Sequence, residues 1–225
     1  MENSERYEIK FILNSHEVFE LTQMLILRTS FKRSFDSRIV NSIYFDDVNY
    51  MSAADNLSGI SKRKKYRLRW YGELFENPIK FEVKTRNNKI GFKEYYDFKE
   101  ECVNLKKLKL SKIADMFEKE LGLKNTNPSF SLFPKLQLSY SREYFEDNEG
   151  VRLTIDDKIN FWPVFENSCA YYGNPSSYDK KIVELKFSKE LYPNVVNFLR
   201  NTTFLPKRHS KYLVGLAKLG EAKYI

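Results

Sequence analysis

Lys65-Tyr66-Arg67-Leu68-Arg69-Trp70-Tyr71-Gly72 is the stretch on which the fold turns. Its side chains alternate, so an extended backbone sets Lys65, Arg67, Arg69 and Tyr71 on one face and Tyr66, Leu68 and Trp70 on the other. This predicts a strand with one cationic side. On a solvated sheet face, two arginines two residues apart repel unless something neutral or acidic intervenes. For one strand alone, the simplest reading is a solvated face whose charges meet carboxylates on a neighbour. Repetition of the pattern along the chain asks for a further explanation.

The pattern does repeat. Over 79–86, Lys80, Glu82, Lys84 and Arg86 share a face, with Phe81, Val83 and Thr85 opposite. Asn87 and Asn88 then turn the chain into an alternating segment over 90–99, a predicted hairpin. Residues 136–144 put Tyr140 and Arg142 on one side, and 151–158 put Arg152, Thr154, Asp156 and Lys158 opposite aliphatics. In 181–187, Glu184 and Lys186 lie beside Ile182. Nearer the N-terminus, Arg6, Glu8 and Lys10 face away from Tyr7, Ile9 and Phe11. A strand over 40–46 ends at Asp46 and Asp47, whose carboxylates suit turn and cap chemistry better than a metal.

Between these segments the period changes. Asn14-Ser15-His16-Glu17 supplies a cap and a capping-box acid for a helix over 15–27 carrying Val18, Leu21 and Leu25, with His16 at the surface. Residues 50–60 read as a short helix or loop. Ser111 is expected to cap a helix with Ile113, Met116, Phe117 and Leu121 on one stripe and Gly122 as its stop. Loops are expected at 125–128 and 173–177. Pro193 fits the first turn of a helix bearing Val195, Val196 and Leu199, and Ser210 the cap of a last short one.

The 225 residues, 42% of them hydrophobic, suffice for a full core, and a single domain over 1–225 is expected. Eighteen Phe, 15 Tyr and 2 Trp favour strands over a helical bundle. A net charge of +8 calls for an anionic partner: nucleic acid, a phosphorylated small molecule, polyphosphate or an acidic membrane surface. Cys102 and Cys169, without CxxC spacing, indicate neither a zinc site nor a disulfide framework and suit a reducing compartment. No signal-peptide core and no run of about 18 apolar residues is present, so a soluble, cytoplasmic protein is expected.

Half-charged strands permit two architectures. An open sandwich would turn the charged faces to water. A closed barrel would carry them inside and pack its apolar exterior against helices. Enclosed charge costs several kcal/mol per ion unless it is countered, and a polyanion with a divalent cation would counter it.

Glu8-Ile9-Lys10, Arg67-Leu68-Arg69-Trp70-Tyr71, Glu82-Val83-Lys84, Ser139-Tyr140-Ser141-Arg142, Glu184-Leu185-Lys186 and Ser210-Lys211-Tyr212 resemble, in this order, the motifs of the VTC-type polyphosphate polymerase domain, of the triphosphate tunnel metalloenzyme (CYTH-like) superfamily. The resemblance spans residues 6–215. It implies an α+β fold, a closed antiparallel barrel of about eight strands around a basic tunnel with helices outside. It implies phosphate binding by Lys10, Arg67, Arg69, Lys84, Arg142, Arg152, Lys186, Arg208 and Lys211, with Tyr140 and Ser210 adding hydrogen bonds. Of these, Arg67, Arg69, Lys84, Arg142 and Lys211 would carry the catalysis. Glu184 would hold Mn²⁺ or Mg²⁺, with Glu82 and Glu8 next in line. His209 stands where the family commonly has Phe. Eukaryotic members carry membrane segments and a regulatory domain that this sequence lacks, so a separate membrane partner is the corresponding expectation.

Phosphoryl transfer asks for charge neutralisation and in-line positioning more than for a protein nucleophile. No P-loop signature is present, and two histidines with no serine elbow do not suggest a hydrolase triad. The leading expectation is a polyphosphate polymerase drawing the γ-phosphate from ATP or another triphosphate. A triphosphatase is the second, and a non-catalytic binder of polyphosphate or nucleic acid the third. Base stacking needs aromatic and basic groups on one surface, whereas Tyr66, Leu68 and Trp70 oppose the arginines, so no nucleic-acid partner is expected.

Overall fold

Alternation in the sequence becomes strands whose apolar sides are buried. The structure, a computed structural model, describes residues 6–28, 30–73, 78–87, 90–97, 107–123, 130–200 and 202–221. Its elements are β1 (Arg6–Leu13), α1 (Ser15–Arg28), β2 (Lys32–Asp46), α2 (Met51–Leu57), β3 (Lys62–Tyr71), β4 (Lys80–Asn87), β5 (Ile90–Asp97), α3 (Leu110–Glu120), β6 (Phe133–Glu146), β7 (Arg152–Trp162), β8 (Ser176–Tyr178), β9 (Lys181–Ser188), α4 (Tyr192–Arg200) and α5 (Lys211–Lys218).

The strands form one nine-stranded sheet in the order β1-β9-β7-β6-β2-β3-β4-β5, with β8 beside β7. The α+β class is as expected. Among the described residues, however, the hydrogen-bonded path ends at β1 and β5 and does not close into the expected barrel. Two strands depart from the reading. β2 starts at Lys32, not 40, because its first half is largely exposed and so carries no apolar period. Tyr178 completes a three-residue strand at the end of the stretch read as a loop. The β4–β5 hairpin is present, pairing Asn87 with Ile90. Asn88, Lys99, Cys102 and the expected loop 125–128 lie outside the described residues.

The chain divides into two compact units. The first takes Met1–Arg38, Tyr140–Ile159 and Tyr178–Ser210. Its core joins Phe11 and Leu13 of β1, Val18, Leu21 and Leu25 of α1, Leu153 and Ile155 of β7, Val183, Leu185 and Phe187 of β9, and Val195 and Leu199 of α4. The capping box forms as read: the Glu17 amide donates to Asn14 Oδ1 at 2.9 Å and the Asn14 amide to Glu17 Oε2 at 2.7 Å. His16 is exposed, beside Glu20.

The second unit takes Ile39–Ser139, Asn160–Ser177 and Lys211–Ile225. Tyr66, Leu68 and Trp70 enter a core with Ile43, Phe45, Phe81, Val83, Ile113 and Phe117, and Phe81 stacks on Phe117 at 4.2 Å between centroids. Asp46 and Asp47 are caps: Asp46 accepts from the amides of Ser52 and Ala53, Asp47 from that of Met51. Ser111 is not the cap of α3. That position is Lys109, with no side-chain cap. The amides of Leu110 and Ser111 instead donate to the carbonyls of Ser168 and Glu166, each at 2.9 Å. Gly122 stops the helix at φ 61°. Among the described residues, no helix is long and apolar enough to cross a membrane.

Candidate functional site

In the second unit, burial of Tyr66, Leu68 and Trp70 fixes Arg67 and Arg69 on the other face of β3, and pairing decides what they meet. Tyr44 and Ser42 of β2 oppose Arg67 and Arg69; Glu82 and Lys80 of β4 oppose them from the other side. Arg67 donates from Nε and Nη2 to Glu82 Oε2, the first at 2.6 Å, and from Nη1 to the Tyr44 oxygen at 3.3 Å. Arg69, 8% exposed, donates from Nε to Ser42 Oγ at 3.2 Å. Burial pushes the Glu82 carboxyl up, but Arg67 and Arg69 outweigh it and hold it below the usual range.

One row along, Lys65 of β3 opposes Lys84 of β4, which opposes Lys93 of β5. Three lysines thus stand in line across three strands beside the two arginines. Tyr212 of α5 lies flat on Tyr44, with centroids 5.0 Å apart and 13° between planes, and donates to Asp46 Oδ2 at 2.8 Å. Lys211, half-buried, opens α5 next to it.

The first unit carries a different arrangement. Lys10 of β1 opposes Glu184 of β9, Glu8 opposes Lys186, and from β7 Thr154 and Arg152 oppose Glu184 and Lys186. The Lys10 ammonium is 2.6 Å from Glu8 Oε1 and 3.6 Å from Glu184 Oε2, and Lys186 is 2.5 Å from Glu184 Oε1. Arg142 grips Asp156 with Nε and Nη2, and its guanidinium lies 5.2 Å over the Tyr140 ring. Burial pushes the Glu184 carboxyl up, but Lys10, Lys186 and Arg142 hold it well below its ordinary value. Burial works against the Lys10 charge, which Glu184 and Glu8 more than restore. Here Lys10, Lys186 and Arg142 each meet a carboxylate.

The structure thus gathers Lys10, Tyr140, Arg142, Glu184, Lys186 and Glu8 on one face, and Arg67, Arg69, Glu82 and Lys84 on another. Arg152 is set apart, exposed, paired with Glu146 at 3.3 Å and lining a pocket with Arg6 and Lys186. The segment holding Arg208, His209 and Ser210 is tied to β1 by the Lys207 amide, which donates to the Lys10 carbonyl at 2.8 Å. Arg208 is exposed, Ser210 half-buried, and the His209 ring is 6.0 Å from that of Tyr178. Sequence reasoning missed Tyr44, Ser42 and Asp156 as site residues. Asp156 lay on a charged face already recognised, but its partner could not be read.

A resident metal does not fit the residues as they stand. Among the described residues, no group of three His, Cys, Asp or Glu side chains is placed to hold an ion. The three expected ligands are taken by cations: Glu184 by Lys10 and Lys186, Glu8 by Lys10, Glu82 by Arg67.

The sequence matches a family model described as the VTC domain over residues 5–220. Among solved structures, the chain is similar to a protein from Pyrococcus horikoshii OT3 at 16% identity and TM-score 0.50, covering 94% of this chain and 99% of that one. It is similar to a Hippeastrum protein described as a candidate adenylyl cyclase with a dominant triphosphatase activity, at 16% identity and TM-score 0.50, over 93% and 94%. A candidate adenylate cyclase from Vibrio parahaemolyticus gives 11% identity and TM-score 0.51 over 95% and 99%. At these identities the likeness is one of fold. Comparison with curated proteins gives no match.

Proposed function

The chain belongs to the VTC domain family, and from that premise we propose that it transfers the γ-phosphoryl group of ATP, or of another nucleoside triphosphate, to a growing polyphosphate chain. The observation that carries this reading is the row Lys65, Lys84, Lys93 beside Arg67 and Arg69. Cations brought together on neighbouring strands raise the local positive potential, and a polyanion is the ligand that such a potential attracts. Glu82 holds the Arg67 guanidinium in place, so the charge is oriented before phosphate arrives, which is the preorganisation that favours a transition state over its ground state.

In the reaction, a terminal oxygen of the polyphosphate attacks the γ-phosphorus, the bond to the bridging oxygen breaks and the nucleoside diphosphate leaves. Arg67, Arg69, Lys84 and Lys211 neutralise and align the phosphates. Guanidinium forks suit this task because they meet phosphate oxygens two at a time. The face bearing Lys10, Tyr140, Arg142 and Lys186, with Arg152, Arg208 and Ser210 near its rim, is proposed as a second phosphate-binding face. Mn²⁺ or Mg²⁺ enters as a companion of the triphosphate, since magnesium binds through substrate phosphates and one or two carboxylates; no step is routed through it. ATP as donor agrees with the cytoplasmic location expected from the sequence. The closed tunnel implied by the resemblance belongs to the same proposal, but the chemistry above needs only the Arg67–Arg69 face.

The Hippeastrum neighbour favours a second reading, a triphosphatase, in which water replaces the acceptor phosphate. Product analysis after incubation with ATP and Mn²⁺ separates the two. Polyphosphate with ADP supports the polymerase, orthophosphate with ADP the triphosphatase, and unchanged ATP rejects both.

A further inference from the structure

β2 brings to the arginine face a tyrosine that the motifs do not single out. Tyr44, 8% exposed, stands opposite Arg67 and two positions from Ser42, the partner of Arg69. Its oxygen accepts a hydrogen bond from Arg67 Nη1 at 3.3 Å, and among the described residues it donates none. The one aromatic hydroxyl stacked near it, that of Tyr212, gives its own proton to Asp46. A buried phenol whose hydrogen-bond partner is a guanidinium has no acceptor for its proton, and its oxygen gains from being negative.

The surrounding charges agree. β3 presents Lys65, Arg67 and Arg69 to Tyr44; β4 offers Glu82, engaged with Arg67; α5 offers the neutral Tyr212, with Asp46 behind it. Burial alone pushes the Tyr44 hydroxyl up, but Arg67, Arg69 and Lys65 outweigh it and bring it down to about 7. A terminal phosphate loses its last proton near pH ~6, so donor and acceptor are closely matched, the condition under which proton transfer between them is most useful.

Resting on the phosphate-site reading above, we propose that Tyr44 is the proton-accepting residue of the Arg67–Arg69 site, its phenolate taking the proton of a phosphate that arrives protonated. The phosphate O–H bond breaks and the phenol O–H bond forms. The phosphate gains one negative charge as Tyr44 loses one, and no further reactant is required. The arriving polyanion also neutralises the cations that kept Tyr44 ionised, so binding itself drives protonation.

The test follows tyrosinate absorbance of the intact chain slightly above neutral pH while tripolyphosphate is titrated in, with calorimetry of the same titration in buffers of different ionisation enthalpy. The expected result is loss of the tyrosinate signal, with a proton uptake from the buffer that shrinks as pH is lowered and more of the tripolyphosphate arrives carrying its own proton. Tyr44→Phe should bind tripolyphosphate without either change, and Tyr212→Phe should behave as wild type. Binding by wild type with no loss of signal overturns the proposal, as does equal loss in Tyr44→Phe, and either leaves the phosphate site standing. Failure of wild type to bind tripolyphosphate overturns the phosphate-site reading and this inference with it. If Tyr44→Phe does not fold, the wild-type and Tyr212→Phe titrations decide by the same criterion.

Discussion

Arg142 and Asp156 are joined by two parallel hydrogen bonds, Nε to Oδ1 at 2.5 Å and Nη2 to Oδ2 at 2.8 Å, with the Asp156 side chain wholly buried. Removing one partner strands the other's charge, whereas removing both does not. Arg142→Met is therefore expected to lower stability by ~3–5 kcal/mol, and Arg142→Met/Asp156→Leu to recover most of that. Denaturant midpoints check this. An Arg142→Met midpoint equal to wild type would show that the pair is solvated.

Gly215 in α5 has a packing reason to lack a side chain. An added Cβ would lie 2.5 Å from Leu136 Cδ2 and 2.7 Å from Phe161 Cδ1, and both residues are fully buried. Gly215→Ala gains roughly 1 kcal/mol of helix propensity but overpacks the core at a cost of about 1–3 kcal/mol. A lower melting temperature is expected in a thermal scan; a higher one would mean that Phe161 and Leu136 give way.

The alternating strands were legible because a period of two is a local property: Tyr66, Leu68 and Trp70 announce their face without help from the rest of the chain. The capping box at Asn14 and Glu17 and the caps at Asp46 and Asp47 were legible for the same reason. What meets what was not. The row Lys65, Lys84, Lys93 depends on the β3–β4 and β4–β5 registers, and Tyr44 reaches Arg67 across 23 positions of sequence. Ser111 was misread because the acceptors at the start of α3 are carbonyls from a distant loop. For Glu184, Glu82 and Glu8, expected as metal ligands, the limit was a different one. Their identities were readable, but the lysines and arginine that occupy them follow from strand pairing.

Glu184 gives a prediction in pH. Its folded-state pKa lies below the ordinary 4.5 because Lys10, Lys186 and Arg142 outweigh burial. The resulting stability is fully present above the ordinary value and is lost as pH falls through the lower folded value. Glu184→Gln should thus be less stable than wild type at neutral pH, with the gap narrowing at about pH 3. Chemical denaturation at both pH values checks this. A gap that stays constant would assign the loss to packing, not charge.

A ligand that binds only the folded chain stabilises it by mass action. ATP with Mn²⁺, or polyphosphate, present at 100 times its dissociation constant should add about 2.7 kcal/mol, a rise of roughly 5–11 °C for a chain of this size. A thermal scan at millimolar ligand with no shift would count against both enzyme readings.

The most direct test of the account is calorimetric titration of tripolyphosphate into wild type and Arg69→Gln. Arg69 is bonded to Ser42 Oγ, and glutamine keeps a polar side chain there, so neutralising it should spare the fold while removing a charge-assisted contact worth ~1.5–3 kcal/mol. The account predicts binding by wild type and a loss of roughly 10- to 100-fold in the variant, with unchanged far-ultraviolet circular dichroism. Equal affinity in the two proteins would contradict it.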